Sequence, residues 1–167
     1  MKSKIITLAL IATLGLGGCA ANGEQNAWGM GNKQTVGSVG GALLGGLLGS
    51  KVGKGDAVVI PAASSSVGLA AIQIVNSVGG VSIAMTRTSA KAAALRAAGA
   101  AHVVATEEQD LVEAIHAITG GKGARVVFDP VGGPGVEKLA AAVAPGGTLI
   151  LYGLLSLQPT PFPFGPA

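Results

Sequence analysis

Cysteine and histidine are scarce in this chain: Cys19 is the one cysteine, and His102 and His116 are the two histidines, in 167 residues. A lone cysteine excludes an intrachain disulfide and a cysteine-based zinc cluster. The two histidines fall on separate predicted elements and read as surface or element-edge residues, so no metal site is expected. Aromatic residues make up 3% and charged residues 11%, with no Lys/Arg run. These values exclude a nucleic-acid surface, which needs clustered cations and stacking rings, and a charged disordered tail. Two of the three net positive charges come from the front end, because setting aside Lys2 and Lys4 leaves nine basic against eight acidic residues. The apolar run at residues 5–16 is shorter than the ~20 residues that cross a bilayer comfortably. What remains is an apolar composition, 49% hydrophobic with 28 glycines, enough for one ordinary domain and an appendage.

The chain changes character at Gly53-Lys54-Gly55-Asp56. Residues 1–19 hold a short basic start, the apolar run and Leu16-Gly17-Gly18-Cys19. This layout reads as an export signal and resembles the bacterial lipoprotein leader, whose lipobox ends at a lipid-bearing cysteine. By that resemblance Cys19 is lipidated and becomes the mature N-terminus. Residues 20–35 read as a tether, and residues 36–54 as a helix in which Gly37, Gly41, Gly45, Gly49 and Gly53 recur at every fourth position. That spacing puts a bare stripe on one helix face, which in lipid lets two backbones approach. In water each such glycine weakens a helix by ~1 kcal/mol relative to alanine. A flexible linker is the competing reading, but a linker has no use for a fixed period or for Leu43, Leu44, Leu47 and Leu48. The segment resembles the glycine zipper of small outer-membrane lipoproteins of the 17-kilodalton surface-antigen type. That resemblance implies membrane or self-association through the glycine helix.

After Asp56 the pattern alternates. Strands are expected at residues 57–60, 81–85, 102–105, 125–128 and 148–152. Helices are expected at 67–78, 89–98, after a capping box at Thr106-Glu107-Glu108-Gln109, and from Pro134. Strands alternating with helices predict a parallel sheet: an incomplete doubly wound α/β domain over residues 55–167, in the order 3-2-1-4-5. The missing last strand leaves residues 148–152 as an apolar sheet edge, a second route to self-association.

The first strand-to-helix turn reads Ala62-Ala63-Ser64-Ser65-Ser66-Val67-Gly68. Helix N-termini attract phosphate through free N–H groups, and glycines let it come close. Only Gly68 remains of the three-glycine pattern, so this turn alone also fits a plain helix start. Serine hydroxyls still supply donors. Just past the second strand stand Arg87 and Lys91, among three hydroxyls and no acid. A carboxylate there would suit the ribose hydroxyls of NAD, whereas cations suit the 2′-phosphate of NADP(H).

Residues 55–167 resemble the Rossmann domain of medium-chain dehydrogenases/reductases, in the quinone-oxidoreductase-like and zinc-type alcohol dehydrogenase branch. The matching stretches are Gly55 with Asp56, residues 62–73, 86–91 and 98–100, the run Val127-Phe128-Asp129-Pro130-Val131-Gly132-Gly133, and residues 145–153. The resemblance implies that Ser65, Ser66, Val67 and Gly68 face the pyrophosphate. It places Arg87 and Lys91 on the 2′-phosphate, with Val131, Gly132, Tyr152 and Gly153 toward the nicotinamide. It also implies a GroES-like catalytic domain ahead of the Rossmann unit, where this sequence carries the leader instead. No catalytic residue is therefore expected here, Tyr152 reads as a packing residue, and a partner must supply the substrate half. The competing expectations are a membrane-anchored lipoprotein of the cell envelope and a fusion without a selected function. A cytoplasmic location is expected if the leader does not work.

Overall fold

The computed structural model describes residues 50–162 and, ahead of them, Gly46. Cys19 with its lipobox, the tether and nearly all of the glycine-zipper segment lie outside the described residues. Ahead of the first strand Gly55 N donates to Gly79 O at 2.8 Å, and Val52 is already part of the buried core.

Five strands form one sheet: β1 (Ala57–Ile60), β2 (Val81–Thr86), β3 (His102–Ala105), β4 (Ala124–Asp129) and β5 (Val143–Leu151). All pair in parallel in the order β3-β2-β1-β4-β5, the order expected from the sequence. Four α-helices join them: α1 (Ser66–Ser77), α2 (Ala92–Ala97), α3 (Leu111–Thr119) and α4 (Val136–Ala141). Strand side chains alternate between faces, and here that alternation sorts two cores. Val58, Ile60, Val126 and Phe128 pack with Ala71, Ile72 and Val75 of α1 and Leu95 of α2. Val59, Ile83, Val104 and Val127 pack on the other face with Leu111 and Ile115 of α3 and Leu139 of α4. Both faces are covered, which is why the central strands are nearly unbroken runs of valine and isoleucine. Each fully buried side chain of this size contributes about 1.5–3 kcal/mol against exposure.

Four local expectations need correction. Thr106 to Gln109 do not form a capping box. Thr106 N instead bonds Thr86 O at 3.0 Å, and Glu108 N and Gln109 N both bond Ala105 O. The cap of α3 is Asp110, whose Oδ1 accepts from Val112 N at 2.9 Å and Glu113 N at 3.0 Å. The Glu113 N–H chiefly holds the Asp110 carboxyl below its ordinary value. That contribution is present above the ordinary carboxylate range and is lost as pH falls through the lowered value. The second helix opens as a 3₁₀ turn, Ser89–Lys91, and Pro134 lies in another, Gly133–Gly135, before α4. Finally, β5 starts at Val143 rather than at residue 148. Its register against β4 jumps from Ala124↔Val143 to Val126↔Thr148, so residues 144–147 bulge outward, with Arg125 donating to Gly146 O. Pro145, Gly146 and Gly147 fall in that stretch, residue types that mark bulges within strands.

Candidate functional site

In a parallel sheet the chain doubles back at the point where the strand order reverses, leaving a crevice at the C-terminal ends of the strands. Here the reversal falls between β1 and β4, and a cleft of about 730 Å³ opens there.

The β1–α1 turn supplies Pro61, Ala62 and Ser64 to its wall. Ala62 holds a left-handed backbone, φ 48°, and its carbonyl accepts from Ser65 N at 2.9 Å. Ser65 is the N-cap of α1, its Oγ accepting from Gly68 N at 3.0 Å. Such a cap is worth about 1 kcal/mol, and the hydroxyl hydrogen stays available as a donor. Ser66 opens the helix and is exposed, while Val67 packs half-buried against the sheet. Gly68 is buried, and a Cβ there would lie 2.6 Å from Ala63 Cα and 2.7 Å from Ala62 O. Its bare Cα is what lets α1 start against the turn. Ser65, Ser66, Val67 and Gly68 are not among the residues lining the cleft, and Ser64 is the serine that lines it.

After β2 the cleft wall is Thr86, Arg87, Thr88 and Lys91. Lys91 Nζ donates to Ser64 Oγ at 3.2 Å, so the cationic loop and the first turn meet across the cleft mouth. After β4 the wall is Asp129, Val131 and Gly132. Asp129 is fully buried, and its carboxylate accepts from Val131 N at 2.8 Å and Gly132 N at 3.1 Å. Gly132 sits at φ 63°, ψ −155°, a conformation that side-chain-bearing residues avoid. The structure thus brings together Arg87, Lys91, Val131 and Gly132.

Tyr152 and Gly153 are not among the lining residues. The Tyr152 ring stacks on Phe128, centroids 4.1 Å apart at 22°, and its N–H donates to Asp129 O at 2.9 Å. Gly153 lies so close under Pro130 that a Cβ would stand 2.6 Å from its carbonyl oxygen. Burial first, and the Asp129 charge second, push the Tyr152 phenol up to about 12. The raised value means that the folded state keeps this proton longer than the unfolded chain does. The resulting stability is complete below pH ~10 and is lost as pH rises toward 12. Tyr152 is the only tyrosine, so tyrosinate absorbance reads it directly. The folded protein is expected to titrate near 12, and a midpoint near 10 would contradict the packing.

Several lining residues escape a reading by motif: Thr106 and Glu107 after β3, Leu111 on α3, and Lys138 and Leu139 on α4. Thr106 and Glu107 had a usable signal, since every loop after a parallel strand borders the crevice. Lys138 had none, because its place depends on how α4 packs.

Residues 66–167 match the family described as zinc-binding dehydrogenase, which is more than half of the chain. The chain belongs to this family. Among curated relatives, the 2-haloacrylate reductase of a Burkholderia species is 34% identical over 103 residues, covering 62% of this chain and 31% of the relative. Quinone oxidoreductase 1 of Escherichia coli K12 is 38% identical over 92 residues, 55% of this chain and 28% of the relative. The chain therefore spans about a third of these relatives. Among solved structures, Escherichia coli quinone oxidoreductase complexed with NADPH superposes with a TM-score of 0.66 at 31% identity, over 73% of this chain and 38% of the other. The structure of 2-haloacrylate reductase gives 0.68 at 32% identity, with the same two coverages.

The family's name implies zinc, and the described residues do not fit it. His102 is half-buried on β3, His116 is exposed on α3, and no three His, Cys, Asp or Glu among the described residues gather to hold a metal ion. Nor is any helix among them long and apolar enough to cross a membrane.

Proposed function

We propose that residues 55–167 form the NADP(H)-binding portion of an oxidoreductase of the quinone-reductase type. The observation that carries this reading is the placement of Arg87 and Lys91 in one cleft wall, with Lys91 bonded to Ser64 of the first turn. Two cations after β2 match a 2′-phosphate, and the adjoining turn matches a pyrophosphate. In this reading Ser65, Ser66 and Gly68 shape the start of α1 beneath the pyrophosphate, and Val131 and Gly132 border the nicotinamide. The bound dinucleotide supplies hydride chemistry; the chain's part is to hold and orient it. NADPH in the related quinone oxidoreductase supports the choice of cofactor. Titrating the full chain into NADPH and following the nicotinamide fluorescence tests this reading. A saturating change supports it, and a flat trace contradicts it.

Tyr152 is not among the residues lining the cleft, and its ring stacks on Phe128 instead. In this reading a partner contributes the substrate half, as the family resemblance implies. A self-association route also follows, because among the described residues β5 pairs only with β4 and carries half-buried Leu149, Ile150 and Leu151. Sedimentation is expected to show dimers or larger species at rising concentration; a monomer throughout would contradict it. For residues 1–54 the proposal is a lipoprotein leader, a tether and a glycine helix. Intact mass of membrane-fraction protein tests it: acyl mass that disappears in Cys19→Ser supports lipidation, and an unmodified Met1 start contradicts it.

A further inference from the structure

Four acidic residues stand near the cationic wall of the cleft, and three have structural work. Asp110 caps α3 through Oδ1. Glu108 turns back onto the loop after β2, its Oε1 accepting from Ser89 N at 2.7 Å. Asp129 is buried, and both its oxygens accept from the turn after β4. Glu107 differs from all three. It is exposed, it lines the cleft, and its N–H bonds Arg87 O at 2.9 Å, so its backbone is fixed directly beside that of Arg87.

We propose that Glu107 is a specificity-determining residue whose carboxylate opposes the phosphate that Arg87 and Lys91 attract, drawing the affinities for NADPH and NADH together. The inference rests on the dinucleotide reading above. A phosphate on the adenosine ribose would enter a wall that holds two cations and one carboxylate. A dinucleotide without that phosphate brings only neutral ribose hydroxyls to this subsite and meets no charge repulsion from Glu107. The cleft thereby tolerates both cofactors where Arg87 and Lys91 alone would select one.

Calorimetric titration of the full chain with NADPH and NADH, wild type against Glu107→Gln, tests this at low and high salt. Glu107→Gln keeps the size and removes the charge, with one acceptor oxygen replaced by an NH2 donor. It is expected to tighten NADPH roughly three- to tenfold at about 20 mM salt and to leave NADH within about twofold. At about 300 mM salt the gain should shrink, as screening of an exposed charge requires. Glu137→Gln, an exposed acid of α4 outside the cleft lining, should change neither cofactor. An unchanged NADPH-to-NADH ratio, an equal gain for both cofactors, or the same gain in Glu137→Gln would overturn the proposal. If the wild type binds NADPH and the ratio does not move, only the role of Glu107 falls. If the wild type binds neither, the dinucleotide reading falls and takes this inference with it.

Discussion

Replacing Arg87 and Lys91 together by alanine is expected to weaken NADPH binding about 100-fold while NADH binding stays within about twofold. Each cation would make a charge-assisted hydrogen bond to the 2′-phosphate, worth ~1.5–3 kcal/mol in a favourable setting. Both side chains are exposed, so solvent screening brings each to ~1.4 kcal/mol, about tenfold apiece. Arg87→Lys should recover only part of the loss, because lysine keeps the charge and gives up the bidentate fork. The gap between wild type and double variant should also narrow as salt rises. Parallel calorimetric titrations measure all of this. An equal loss for both cofactors would show that the two cations serve the shared part of the dinucleotide, and would contradict 2′-phosphate recognition.

Gly68→Ala is expected to cost ~3 kcal/mol of stability, or on the order of 10–20 °C in Tm for a domain of this size. The added methyl would lie 2.6 Å from Ala63 Cα and 2.7 Å from both Ala62 O and Ala63 C. Those are backbone atoms and cannot rotate aside, so the start of α1 must lift from the turn. Lifting breaks the Ser65 cap, which closes on Gly68 N, and moves the wall that Ser64 shares with Lys91. Gly135→Ala is the matched control: its φ is −62°, and an added methyl there would meet no heavy atom within 4 Å. That variant should unfold with the wild type. Thermal denaturation of the two decides, and a Gly68→Ala protein as stable as the control would contradict this account of the turn.

The different roles of Gly68 and Arg87 mark how far the sequence can be read. β1 and β3 coincide with their expected spans, and the strand order with it, because buried parallel strands are short apolar runs bounded by turn residues. Arg87 and Lys91 are legible for a similar reason, since their distance from the first turn fixes them at the end of β2. The resemblance makes Gly68 a residue facing phosphate, and its bare Cα also lets helix and turn touch; a linear pattern does not separate these two uses of glycine. At Thr106 the capping-box pattern competes with Asp110, and the backbone of Thr106 is already claimed by Thr86. The far wall of the cleft, Lys138 and Leu139, depends on helix packing across the sheet and leaves no local mark. Tyr152, just past β5, stacks on Phe128 of β4, a partner that sequence distance does not reveal.

The measurement closest to the central claim is a thermal-shift titration of the chain with NADPH and NADH in parallel. A ligand that binds only the folded state stabilises it by about 2.7 kcal/mol at one hundred times its dissociation constant. NADPH is predicted to raise the midpoint saturably, with a smaller rise for NADH at equal concentration. No shift with NADPH at millimolar concentration would contradict the assignment of this cleft as a dinucleotide site.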